Sequence, residues 1–76
     1  MILEKVRQII ADQMCIDVAE VKPDSNILKD IGADSLDVVE MLMLVEKEWG
    51  IIVDDDDTRG FSTVQSVADY IEKKTK

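Results

Sequence analysis

The sequence has no histidine, one cysteine and no long apolar run. Histidine is the commonest general base, so its absence argues against a stand-alone catalyst. The lone Cys15 excludes an intramolecular disulfide and suits a reducing compartment. No run reaches membrane-spanning length, and residues 1–10 mix charged and apolar side chains, unlike a signal peptide. We therefore expect a cytoplasmic protein that does not insert into membranes.

Basic residues are scarce in the middle of the chain. The net charge is −8, and residues 30–57 hold ten acidic side chains against one basic one, Lys47. That segment carries −9 and the remainder +1. A concentrated negative charge disfavours nucleic acid and anionic membranes as partners and favours basic protein surfaces.

The length of 76 residues predicts a single domain over residues 1–76, with no room for an enzyme cleft beside a structural core. Apolar residues make up 46% of the chain, which is enough for a small core. We expect a monomer.

The first part of the chain predicts a helix over residues 3–15, because Leu3, Val6, Ile10 and Met14 recur at spacings of three and four. Lys5, Arg7 and Asp12 would face water. A long connection follows over residues 18–34, and its turn residues surround enough apolar side chains that we expect it to pack across the helices.

A second helix is predicted over residues 36–49, capped by Asp34 or Ser35 and followed by Gly50. The predicted inward stripe consists of Val39, Leu42, Val45 and Trp49. Further apolar residues remain at Val38, Met41, Met43 and Leu44, more than one buried face needs. Either this helix is surrounded, or it shows an apolar strip to a partner.

The last third is predicted to hold one loop and two helical segments. Residues 51–53 could form a strand, but no second strand could pair with them, so we expect a packed loop. A short helical turn is predicted over residues 55–59. The last helix would begin at Ser62 or Thr63, where Ser62 and Gln65 fit a capping box, and its inward face consists of Val64, Val67, Ala68 and Ile71.

These elements predict an all-α fold, a small four-helix bundle with a long first loop. It would contain three main helices and one short helix.

Ser35 allows three interpretations. A catalytic serine needs a base, and without histidine only carboxylates and lysines such as Lys29 and Lys47 remain, so hydrolase chemistry is not expected. A serine at a helix start also serves as a plain cap. Alternatively, the hydroxyl is a covalent attachment point, because a helix N-terminus tolerates a phosphodiester and the flanking Asp34 and Asp37 would guide a basic modifying enzyme.

The four aspartates at residues 54–57 fail as an EF-hand. A loop begun at Asp54 places Arg59 where glycine is required and Gln65 where the bidentate glutamate belongs. We expect a solvated acidic turn and no metal site, with loose binding of divalent cations as the alternative. Cys15 is expected to be a small buried side chain.

The stretch Gly32-Ala33-Asp34-Ser35-Leu36-Asp37 resembles the attachment motif of acyl carrier proteins, whose serine carries a 4′-phosphopantetheine arm. The resemblance extends over almost the whole chain. It includes the first amphipathic helix, the loop that ends in Asp30-Ile31-Gly32, Val39-Glu40 in the second helix, and Thr63-Val64 at the start of the last.

The resemblance implies a carrier rather than an enzyme, most simply in fatty acid biosynthesis. A holo-carrier synthase would transfer phosphopantetheine from coenzyme A to Ser35, and the thiol of the arm would hold the acyl group as a thioester. Enzymes with basic patches would dock on the second helix. The implied partner-binding residues are Asp34, Leu36, Asp37, Glu40, Met43 and Glu46. The implied lining of an acyl cavity consists of Ile27, Leu28, Leu42, Val45, Val53, Phe61 and Ile71.

Three departures from the family pattern leave the pathway open. Lys47 stands where a glutamate is common, Trp49 where phenylalanine is frequent, and Asp54 where proline is frequent. Carriers for polyketide, nonribosomal peptide, D-alanyl or specialised lipid pathways share the serine motif. An alternative of another class is a non-catalytic acidic helical adaptor in which Ser35 only caps the helix.

Overall fold

The computed structural model describes residues 2–54 and 61–75, which form three α-helices and one 3-10 turn. The helices are α1 (Ile2–Met14), α2 (Ser35–Trp49) and α3 (Val64–Thr75), and the 3-10 turn spans Val18–Glu20. The described part contains no β-strand, only an isolated bridge between Asn26 and Thr63. The all-α prediction is confirmed. The short helix predicted over residues 55–59 lies outside the described residues, and the short helical element that is seen lies in the first loop instead.

The core forms where α1 packs against both α2 and α3. Each helix presents an apolar face to it, and the first loop adds buried residues of its own, so the prediction of a packed loop is confirmed. Burial of these side chains is the main favourable term in the stability of the fold. The most deeply buried side chains are Val6, Val21, Val64 and Ile71.

Arg7 joins the first loop to α1. Its Nε donates to the Val21 carbonyl at 2.5 Å, and a second guanidinium nitrogen donates to the Val18 carbonyl at 3.1 Å. A third contact, at 2.8 Å, reaches the Glu4 carboxylate. The prediction that Arg7 faces water is therefore wrong, because the 3-10 turn and the following Val21 lie against α1 and present carbonyl groups to the guanidinium. Lys5 is exposed, as predicted.

The second half of the first loop is anchored to the start of α3 by backbone hydrogen bonds. The Ile27 N–H donates to the Ser62 carbonyl at 3.0 Å, and the Val64 N–H donates to the Ser25 carbonyl at 3.1 Å. This pairing occupies backbone groups that would otherwise be buried without partners. It also fixes the position from which the chain enters α2.

The cap of α3 is Thr63 rather than Ser62. The Thr63 Oγ1 accepts the Ser66 N–H at 3.2 Å, and the Ser66 Oγ accepts the Thr63 N–H at 3.2 Å. The predicted Ser62–Gln65 box is therefore wrong by one residue. The reason is tertiary: the Ser62 carbonyl pairs with the first loop, so the helix begins at Val64.

Two further predictions concern the ends of α1 and α2. Cys15 is exposed, with a φ of 57°, because the chain turns there as it leaves α1, so its predicted burial is wrong. Gly50 follows α2, as predicted, and adopts the left-handed conformation. Residues 51–53 form no strand; Ile51 and Val53 pack against the core, whereas Ile52 is 77% exposed.

Candidate functional site

The N-terminus of α2 is closed by a reciprocal pair of aspartates. The Asp34 carboxylate accepts the Asp37 N–H at 2.9 Å, and the Asp37 carboxylate accepts the Asp34 N–H at 3.2 Å. This arrangement is a capping box with Asp34 at the cap position. Of the two predicted caps the structure selects Asp34, so the cap function does not require Ser35.

Ser35 is the first residue of α2 and its side chain is exposed. In the part of the chain that the structure describes, the Ser35 hydroxyl takes part in no hydrogen bond. The interpretation of Ser35 as a plain cap is therefore wrong. What remains is an accessible hydroxyl at the positive end of a fifteen-residue helix, where a phosphate group is electrostatically tolerated.

An apolar cleft of about 390 Å³ opens beside this hydroxyl, between α2 and the flanking loops. Ser35 is part of its lining, so a group attached to the hydroxyl starts at the cleft itself. The Phe61 ring forms part of the wall and is held edge-to-face against Tyr70 of α3, with 5.1 Å between ring centroids. The lining consists of Ile27, Leu28, Ser35, Val38, Val39, Leu42, Met43, Glu46, Val53 and Phe61.

The cleft gathers most, but not all, of the predicted cavity residues. Two of the seven, Val45 and Ile71, are buried in the core and lie outside the lining of this cleft. The five that line it are Ile27, Leu28, Leu42, Val53 and Phe61.

Sequence reasoning missed Val38 and Val39, which also line the cleft. Val39 was predicted to point inward, which is wrong: it is 53% exposed, while Met41 is 4% exposed and takes the core position. The available signal was the series Ser35, Val39, Leu42 and Glu46, whose spacings of three and four place them on one face of α2.

The outer face of α2 is both apolar and acidic. Leu36 and Met43 are 65% and 62% exposed, and together with Val39 they form an apolar strip. Of the two arrangements that the sequence allowed, the helix therefore shows a strip rather than being surrounded. Among the acidic residues predicted to meet partners, Asp34 and Glu40 are exposed, whereas Asp37 and Glu46 are half-buried.

The acidic residues of α2 differ in what they already bind. The Asp34 and Asp37 carboxylates each accept the backbone N–H of the other residue. The Glu40 carboxylate accepts a hydrogen bond from the Gln13 side-chain amide. The Glu46 carboxylate accepts the Val53 N–H at 2.9 Å. Residues 2–54 and 61–75 contain no cluster of three possible metal ligands. Most of the predicted acidic turn lies outside those ranges. No described helix is both long and apolar enough to span a membrane.

Comparison with known proteins agrees with this geometry. The family model for a phosphopantetheine attachment site matches residues 4–71, and the chain belongs to that family of carrier domains. The chain is also 45% identical over 73 residues to an acyl carrier protein of Solidesulfovibrio magneticus, covering 96% of this chain and 94% of the relative. The predicted resemblance and the predicted cofactor, 4′-phosphopantetheine, are confirmed.

Proposed function

We propose that Ser35 is the attachment point and that the chain carries acyl groups in fatty acid biosynthesis. The observation that carries the proposal is an exposed hydroxyl, free of hydrogen bonds within the described chain, at an apolar cleft. Because the Asp34–Asp37 pair supplies the cap, modification of the hydroxyl costs the helix no capping bond. The arm, once attached, supplies a terminal thiol for thioester formation.

The attachment reaction uses the Ser35 oxygen as the nucleophile. That oxygen attacks the coenzyme A phosphorus nearest pantetheine and forms the new P–O bond, while the diphosphate bond breaks and 3′,5′-adenosine diphosphate leaves. A base of the transferase would take the serine proton, and magnesium held by the transferase would supply positive charge to the diphosphate. This chain provides the oxygen and its setting, and the catalytic groups belong to the transferase.

The cleft and the outer face of α2 suit the two needs of a carrier. An apolar lining stabilises an alkyl chain by roughly 25 cal/mol per Å² of apolar surface removed from water. The exposed acidic and apolar side chains of α2 suit brief docking with enzymes that present basic patches, because electrostatic steering raises association rates without requiring slow release. We propose that such enzymes include the holo-carrier synthase and acyltransferases.

The test is the intact mass after incubation with coenzyme A, magnesium and a broad-specificity phosphopantetheinyl transferase. The wild type is expected to gain one phosphopantetheine and the Ser35→Ala variant none. Ser62→Ala, which removes another exposed serine hydroxyl, should be loaded like the wild type. A folded wild type that gains no mass would disprove the assignment and favour the acidic adaptor. A Ser35→Ala variant that gains one phosphopantetheine would place the attachment point on another residue.

A further inference from the structure

The Glu46 side chain makes a hydrogen bond within the protein that a role in docking does not require. Its Oε2 accepts the Val53 N–H at 2.9 Å, in a part-buried hydrogen bond that spans seven residues. Both residues line the cleft, and among the described residues of that lining Glu46 is the one with an ionisable side chain. Its neighbour Glu48 is exposed and pairs with Lys5 outside the cleft.

The segment that Glu46 holds has no regular structure of its own. After α2 the chain turns at Gly50, and residues 51–53 belong to no helix or strand. The Val53 N–H therefore lacks a helical or sheet partner and depends on the carboxylate. Hydrogen bonds to a carboxylate are stronger than those between neutral groups, so this bond fixes Val53 against the apolar wall.

We infer that Glu46 is a positioning residue for the acyl cleft: by holding the Val53 backbone it sets how well the cleft retains an alkyl chain. The claim that Glu46 affects retention of an alkyl chain rests on the function proposed above. This positioning role requires an oxygen acceptor at position 46, so a glutamine there should perform it as well as the glutamate does. A docking role would instead require the negative charge.

The first experiment uses the unloaded protein and measures exchange of the Val53 amide hydrogen by NMR. Glu46→Ala is expected to accelerate exchange about tenfold or more, because local opening no longer breaks a hydrogen bond. Glu46→Gln should stay within about threefold of the wild type. Glu48→Ala, a control with the same loss of charge on the same helix, should leave Val53 unchanged. Equal exchange in Glu46→Ala and the wild type would overturn the inference.

The second experiment loads each protein with an octanoyl arm and measures cleavage of the thioester by hydroxylamine. Cleavage should be several-fold faster in Glu46→Ala than in the wild type, Glu46→Gln and Glu48→Ala. A Glu46→Gln variant that behaves like Glu46→Ala in both measurements would assign the effect to charge and overturn the inference. Unchanged cleavage with faster Val53 exchange would overturn the retention role. A wild type that cannot be loaded would instead refute the proposed function, since the exchange measurement needs no arm.

Discussion

At the scale of single residues, Arg7 connects α1 to the first loop, and Glu40 connects α1 to α2. Arg7 donates to two carbonyl groups of the first loop, and the Glu40 carboxylate accepts the Gln13 side chain of α1. Neither contact follows a helical spacing, because the partners are more than ten residues apart. Sequence periodicity could therefore place Arg7 on a helix, but it could not identify the loop carbonyl groups that Arg7 contacts.

Arg7→Met should destabilise the fold by about 1–3 kcal/mol, because it keeps an apolar stem but removes the side-chain donor of the Val21 carbonyl and one of the two donors of the Val18 carbonyl. The measurement is urea unfolding. Lys5→Met is the matched control: it removes one positive charge from the same helix and an exposed ion pair, so a change below about 0.5 kcal/mol is expected. Similar losses in both variants would show that charge alone is responsible.

Glu40→Lys should lower kcat/KM for transfer of phosphopantetheine to Ser35 by about tenfold, since it reverses an exposed charge on the proposed docking face. The rate is measured from intact mass against time at low ionic strength. Asp24→Lys makes the same charge change at an exposed position in the first loop and should be loaded at close to the wild-type rate. Loading of Glu40→Lys at the wild-type rate would place the docking surface elsewhere.

At the scale of elements, α2 has three faces with different surroundings. One face, including Met41 and Val45, enters the core; a second lines the cleft; the third carries the exposed Leu36 and Glu40. The sequence contained enough information to predict the bounds of α1 and α2 to within one residue, because periodicity and the flanking cap residues agree. It could not settle the rotation of α2 about its axis, and the prediction for Val39 is wrong for that reason. A helix with apolar residues on more than one face has no unique inward face in its sequence pattern.

The turn after α2 depends on a glycine at position 50. Its φ of 65° is unfavourable for residues with a Cβ atom, although no atom lies within 4 Å of the place that such a Cβ would occupy. Gly50→Ala should therefore lower the free energy of unfolding by about 1 kcal/mol through backbone strain alone. Gly50→Asn should lose less, because asparagine tolerates this conformation. Thermal unfolding measures both, and an alanine variant as stable as the wild type would contradict the prediction.

At the scale of the whole molecule, negative charge is unevenly spread along the chain. The ion pairs within 4 Å among residues 2–54 and 61–75 include Lys5–Glu48 and Arg7–Glu4, while residues 30–57 carry a net charge of −9. Charge counting from the sequence was sufficient to predict this imbalance. The cleft, by contrast, is formed by side chains from α2 and from three separate loop segments, so its shape could not be predicted without the tertiary structure.

Repulsion within the acidic segment should make stability depend on salt. Raising sodium chloride from about 20 mM to about 500 mM should increase the urea midpoint, because the screening length falls below the spacing of the charges. Lys47→Glu removes the one basic residue of residues 30–57 and should lower the midpoint at low salt while enlarging the gain at high salt. A midpoint independent of salt in both proteins would show that the repulsion is already relieved.

The backbone pairing between the first loop and the start of α3 has a consequence for synthesis of the protein. Ser25 and Ile27 bond to Val64 and Ser62, so the loop before Ser35 acquires its partners only after a much later part of the chain. Until residues 62–64 have left the ribosome, those loop groups lack the partners that they have in the folded structure. The nascent chain therefore contains Ser35 well before the loop that precedes this residue has its folded partners. Under the function proposed above, a transferase that recognises the folded arrangement would have to wait until residues 62–64 have been released.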